Sequence, residues 1–143
     1  LGFAYQSQGN LAAALEEYEK EIQQNPNFYE PFWLAGNIEL GRGNLETAEA
    51  LFRKGISLRP QAIEPQYGLA RVLVARQQFP PAEAALRKVI ELKPDHVEAH
   101  YALARTYQQL GKQDDAAREL KVVAELHARN ASRKSGIAGS QIQ

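Results

Sequence analysis

Small and large apolar residues recur together along this chain at a fixed spacing. In every 34-residue period a small residue stands at one place and a large one follows it four positions later. The small residues are Ala14, Ala48, Ala82 and Ala116, and the large ones are Tyr18, Phe52, Leu86 and Leu120. Such a pair suits two closely crossing helices, because the small residue lets them approach and the large one fills the remaining space. The pattern therefore predicts repeated helix-turn-helix units.

Proline marks the end of each unit. Pro26, Pro60 and Pro94 stand 34 residues apart, and a proline past the end of a helix prevents the helix from continuing. In this register we expect an array over residues 1–130 and a polar tail at 131–143, where low hydrophobicity favours mobility. The array consists of a truncated repeat at 1–28 and complete repeats at 29–62, 63–96 and 97–130. Because the chain opens without Met, we expect it to be part of a longer protein.

Glycine marks the junction between the two helices of a repeat. Gly9, Gly43 and Gly111 occupy repeat position 15, where the first helix ends and a positive φ is needed, and Gln77 occupies this position in the third repeat. No segment has the pattern of a strand. The predicted helices lie at about 1–8, 11–24, 29–42, 45–58, 63–76, 80–92, 97–110 and 114–129.

These motifs resemble the tetratricopeptide repeat (TPR) family over roughly 130 of the 143 residues. They are Leu1, Gly2, Tyr5, Gly9, Ala14, Tyr18 and Pro26, and then Gly36, Asn37, Gly43, Ala48, Phe52 and Pro60. The resemblance implies an all-α fold, a right-handed α-solenoid (superhelix) of helix-turn-helix repeats. In the family, the first helices line a concave groove that takes a peptide or a partner's helix.

Carrying over the family's groove positions predicts the binding residues. Positions 5 and 9 of the first helices give Phe3, Trp33, Asn37, Tyr67, Arg71, Tyr101 and Arg105. Aromatic and arginine side chains often anchor interfaces, and the two arginines favour a protein or peptide partner that bears carboxylates. The alternative is that the aromatic residues only fill the seam between neighbouring repeats.

Glutamate recurs at position 2 as Glu30, Glu64 and Glu98. A negative charge in the first turn of a helix interacts favourably with the helix dipole, which explains these residues without a ligand. The alternative is that they pair with Arg71 or Arg105 of a neighbouring repeat, which would make the groove less attractive to acidic peptides.

The amino-acid composition argues against several classes of function. The 17 basic and 17 acidic residues balance, so there is no overall positive field to attract nucleic acid. No apolar run is long enough to span a membrane. The chain contains no cysteine, which excludes cysteine-ligated zinc and fits a soluble protein of either the cytoplasm or the periplasm.

The residues that could support chemistry form no convincing catalytic site. His96 and His100 flank Glu98, but the order His-Val-Glu-Ala-His is not that of a zinc peptidase, and no phosphate-binding glycine loop is present. We therefore expect no catalytic residue, metal or cofactor. The sequence indicates a non-enzymatic protein-protein interaction scaffold. The alternatives are an accessory domain that positions an enzyme domain encoded upstream and a module for self-association into homo-oligomers.

Overall fold

The computed structural model describes the backbone of residues 8–142 and the side chains of residues 9–135. This part of the chain forms seven helices and no strand, which confirms the predicted all-α class. The helices are α1 (Gln8–Gln24), α2 (Glu30–Gly41), α3 (Leu45–Leu58), α4 (Ile63–Ala75), α5 (Phe79–Leu92), α6 (Val97–Gln109) and α7 (Gln113–Ile142).

The helices belong to two compact units. Unit 1 spans Leu1–Gln78 and unit 2 spans Phe79–Gln143. In unit 1, α2 packs against α1, α3 and α4, and α3 also packs against α4. In unit 2, α6 lies against both α5 and α7. The central helix of each unit is therefore the first helix of a predicted repeat.

Phe52 fills the core of unit 1. Its side chain is fully buried, and its ring lies against the backbone of Gly36 in α2 and Gly68 in α4. A Cβ atom added to Gly36 would lie 2.7 Å from Phe52 Cε1, and one added to Gly68 would lie 2.2 Å from the same atom. The absence of a side chain at Gly36, one of the family-motif residues, therefore lets α2 lie close to the Phe52 ring. The matching requirement at Gly68 was not predicted.

Unit 2 repeats the small-and-large pairing with one exception. Ala82, Leu86 and Ala116 are buried as expected, but Leu120 keeps 38% of its surface exposed. Leu120 has the same repeat position as Phe52, whose ring is covered by the following helix, α4. Within the described residues no helix follows α7, so the outer side of Leu120 has nothing to cover it.

The turns confirm most of the predicted glycine junctions. Gly43 has φ = 83° and Gly111 has φ = 77°, and Gln77 adopts the left-handed conformation with φ = 59° although it is not glycine. Gly9 is different, because it lies inside α1. The predicted helix break at Gly9 is therefore wrong. The predicted helix at 1–8 lies outside the described residues except for Gln8.

The last helix is longer than its repeat. It was predicted to end near residue 129, but α7 continues to Ile142. Among its described side chains Leu126 is the last that is buried, and every side chain from residue 127 to residue 135 is exposed. We call residues 127–135 the α7 extension.

Candidate functional site

The first helices carry the predicted binding residues in pairs. Trp33 and Asn37 lie on α2, Tyr67 and Arg71 on α4, and Tyr101 and Arg105 on α6. Members of a pair are four residues apart and so share one face of the helix. Phe3 lies outside the described residues. We call the faces of α2, α4 and α6 that carry these pairs the pair faces.

An arginine lies over a tyrosine ring on two of the pair faces. The Arg71 Cζ atom is 5.9 Å from the Tyr67 ring centroid, and the Arg105 Cζ atom is 6.0 Å from that of Tyr101. Arg105 Nη1 also donates a hydrogen bond of 3.3 Å to Tyr101 Oη. These contacts limit the motion of the two guanidinium groups.

Neither arginine is neutralised by a carboxylate. Both side chains are exposed, and no ion pair in the described part of the chain includes Arg71 or Arg105. Glu98 instead lies 3.6 Å from His96 Nδ1. The suggested pairing of the position-2 glutamates with these arginines is therefore absent. Their location in the first turns of α2, α4 and α6 fits the helix-dipole explanation.

The aromatic residues of the pair faces differ in exposure. Tyr101 is 47% exposed, whereas Trp33 is half-buried and its indole Nε1 is buried with no hydrogen-bond partner among the residues that the structure describes. A buried donor without a partner destabilises the folded state by about 1–3 kcal/mol. The side chain of Trp33 is less exposed than that of Tyr101.

A second set of polar residues, which the sequence analysis missed, ties neighbouring helices together on other surfaces. In unit 1, Glu49 on α3 accepts hydrogen bonds of 2.9 Å from both Arg53 on α3 and Arg76 after α4. These side chains line an open depression of about 380 Å³. Glu46 also lines this depression, so two carboxylates face two guanidinium groups and the formal charges balance.

Unit 2 repeats this arrangement one period later. Glu83 on α5 lies 3.4 Å from Arg87 Nε on α5 and 2.9 Å from Lys112 Nζ after α6. Arg87 also donates hydrogen bonds of 3.2 Å and 3.0 Å to Tyr107 Oη on α6, and these raise the pKa of Arg87. A glutamate recurring every 34 residues, at 49 and 83, was the available sequence signal for these structural contacts.

His96 and His100, whose spacing suggested a metal site, both form hydrogen bonds within the protein. His96 Nδ1 accepts a hydrogen bond of 3.0 Å from the Ala99 N–H and so caps α6, and burial lowers the pKa of His96 below 6.5. His100 lies 2.6 Å from Glu119 Oε1 through Nδ1 and 2.7 Å from the Pro94 carbonyl oxygen through Nε2. Among the residues that the structure describes, no group of three His, Cys, Asp or Glu side chains could hold a metal ion.

Two family models match the chain. One, described as "Tetratricopeptide repeat", matches residues 1–63. The other, described as "Anaphase-promoting complex, cyclosome, subunit 3", matches residues 41–123. A comparison with curated proteins gives no match.

Solved structures of MamA have a similar fold. "Crystal structure of MamA" has a TM-score of 0.83 and 21% identity, and the match covers 90% of this chain and 75% of that one. "MamA MSR-1 C2" has a TM-score of 0.75 and 24% identity, with 91% and 75% covered. "MamA 41-end from Desulfovibrio magneticus RS-1" has a TM-score of 0.78 and 20% identity, with 90% and 72% covered. Together with the family models, these similarities confirm the predicted repeat solenoid.

No helix in the described part of the chain combines the length and the apolar character that crossing a membrane requires.

Proposed function

Because the chain belongs to the tetratricopeptide repeat family, we propose that it is a non-enzymatic scaffold whose pair faces bind an acidic peptide segment or partner helix. TPR proteins in general bind protein partners. The observation that supports the finer proposal is the presence of two exposed guanidinium groups, Arg71 and Arg105, each about 6 Å from the centroid of a tyrosine ring and outside every ion pair of the described residues.

The chemistry of these pairs favours carboxylate ligands. A guanidinium group presents several N–H donors in one plane and can bind both oxygens of a carboxylate. The tyrosine below it adds apolar contact area and, at Tyr101, an accessible hydroxyl. A peptide that combines acidic and apolar side chains would use both features.

The proposal is tested with a labelled peptide rich in Glu and Leu and a matched peptide that has Gln in place of Glu. Binding is measured by fluorescence anisotropy. We expect the Glu peptide to bind more tightly, and the double variant Arg71→Glu/Arg105→Glu to bind it at least about tenfold more weakly. Circular dichroism should show unchanged helicity, since exposed charges contribute little to stability.

The matched control is Lys54→Glu/Lys121→Glu. It changes the net charge by the same amount, and it also alters one exposed residue in each unit, on α3 and α7 rather than on a pair face. We expect this variant to keep the affinity of the unmodified protein within about twofold at 0.15 M salt, where remote charges are screened. Equal losses in the two variants would show that only net charge matters and would contradict binding at the pair faces.

A further inference from the structure

The α7 extension carries an unpaired positive charge. Among residues 127–135 are Arg129, Arg133 and Lys134 and no acidic residue, so the segment has a formal charge of +3 with histidine neutral. All these side chains are exposed, and none of the ion pairs among the described residues includes them. The extension lies beyond Leu126, the last buried residue among the described side chains of α7.

The outer surface of α1 carries the opposite charge. Glu16, Glu17, Glu19 and Glu21 are exposed, and Lys20 is the one basic residue of α1, so four negative charges and one positive charge give −3. The single ion pair recorded there joins Lys20 and Glu17 at 3.4 Å, with both side chains well exposed to solvent. The other three glutamates have no cationic partner in the described part of the chain.

The two segments also match in geometry. Glu17 and Glu21 are separated by four residues, as are Arg129 and Arg133. Four residues of helix rise by about 6 Å, so the two carboxylates can face the two guanidinium groups when the helices lie side by side. The net charge of the whole chain is zero. The two segments carry formal charges of equal size and opposite sign, −3 on α1 and +3 on the α7 extension.

We propose that the α7 extension of one molecule docks on the acidic surface of α1 of a second copy. The contact is heterologous, since each molecule contributes a different surface to each of two neighbours, and it can therefore continue from copy to copy. These surfaces are separate from the pair faces, so peptide binding and self-association can be examined independently.

Energetic considerations make this association weak and sensitive to salt. Each exposed ion pair contributes little, and salt screens it further. A helix that projects beyond its packing is also marginally stable alone, so docking on α1 would help to maintain the helical form of the extension. Raising the salt concentration from 0.05 M to 0.5 M should therefore lower the association constant by about tenfold.

Sedimentation equilibrium of the full 143-residue chain at low salt tests the proposal. We expect the average mass to rise with concentration. The variant Glu17→Lys/Glu21→Lys and the variant Arg129→Glu/Arg133→Glu should each remain largely monomeric, because each brings like charges together. An equimolar mixture of the two variants should associate again, because the unmodified extension of the first variant can dock on the unmodified α1 of the second.

Recovery in the mixture cannot arise from a general change in net charge or from misfolding of one variant. The proposal would be overturned if the unmodified protein remained monomeric at all concentrations. It would also be overturned if both variants associated as strongly as the unmodified protein. The same holds if the extension variant alone loses association and the mixture fails to recover. Binding of the unmodified chain to phosphatidylserine vesicles with no self-association would identify an anionic membrane as the occupant of the extension and would also overturn it.

Discussion

Units 1 and 2 fill the same repeat position in different ways. In unit 1, Phe52 is fully buried and its ring needs the absence of a side chain at Gly68. The corresponding residues in unit 2 are the smaller Leu86 and the larger Ala102, and Leu86 is 1% exposed. At the same position of the last repeat, Leu120 remains 38% exposed. A large residue at this position is thus buried when the residue facing it is small enough and when a following helix packs over it. The residue type at the position does not by itself determine the burial.

The largest effect should come from truncating the covered residue. We expect Phe52→Ala to lower the free energy of unfolding by roughly 3–5 kcal/mol, because it leaves a large cavity between α2, α3 and α4. Leu120→Ala should lower it by less than about 1 kcal/mol, since solvent already reaches this side chain. Urea denaturation followed by circular dichroism gives both values. Comparable losses would mean that Leu120 is covered in solution.

A smaller effect should follow from adding one methyl group to unit 1. Gly68→Ala places a Cβ against the Phe52 ring, and we expect a loss of roughly 1–3 kcal/mol from overpacking. The double variant Phe52→Leu/Gly68→Ala reproduces the residue types of unit 2. It should be more stable than the sum of the two single changes predicts, and a double-mutant cycle in urea measures this coupling. Strict additivity would show that the ring and the glycine do not constrain each other.

The smallest effect concerns the turns after α4 and α6. Gln77 and Gly111 both have positive φ, which costs a residue with a side chain about 1 kcal/mol. We expect Gln77→Gly to stabilise the protein by about 0.5 kcal/mol and Gly111→Ala to destabilise it by about 1 kcal/mol. Thermal unfolding measured on the two variants should therefore shift in opposite directions. A lower melting temperature for Gln77→Gly would contradict this account of the turn.

Period-dependent features of the fold could be predicted from the sequence. The buried Ala48 and Ala82, the turns at Gly43 and Gly111, and the all-α class all follow from residues that recur every 34 positions. The same period identified Gln77 as the one non-glycine residue at repeat position 15, and the structure shows that Gln77 has the positive φ expected of a glycine.

Features that depend on a neighbour could not be predicted in this way. Position 6 holds Leu34, Gly68 and Ala102, so it has no common residue type, and only the contact with Phe52 explains the glycine. Gly9 lacks the turn that its position predicts. The exposure of Leu120 depends on whether another helix packs over α7 rather than on the residue itself.

The candidate site shows the same division. Spacing alone predicted that Arg71 and Arg105 share a helix face with Tyr67 and Tyr101, because residues four apart are neighbours on a helix. It could not show that the arginines lie over the rings or that Glu49 and Glu83 pair with other cations. The buried indole N–H of Trp33 likewise depends on atoms from elsewhere in the fold.

We propose that the guanidinium groups of Arg71 and Arg105, rather than positive charge alone, bind the peptide. Isothermal titration of the Glu and Leu peptide into the double variant Arg71→Lys/Arg105→Lys tests this most directly, because lysine keeps the charge and loses the planar donors and most of the contact with the tyrosine ring. We expect an affinity about fivefold to tenfold lower than that of the unmodified protein, and no change for the exposed control Arg118→Lys/Arg129→Lys. Unchanged affinity in the Arg71 and Arg105 variant would contradict the claim.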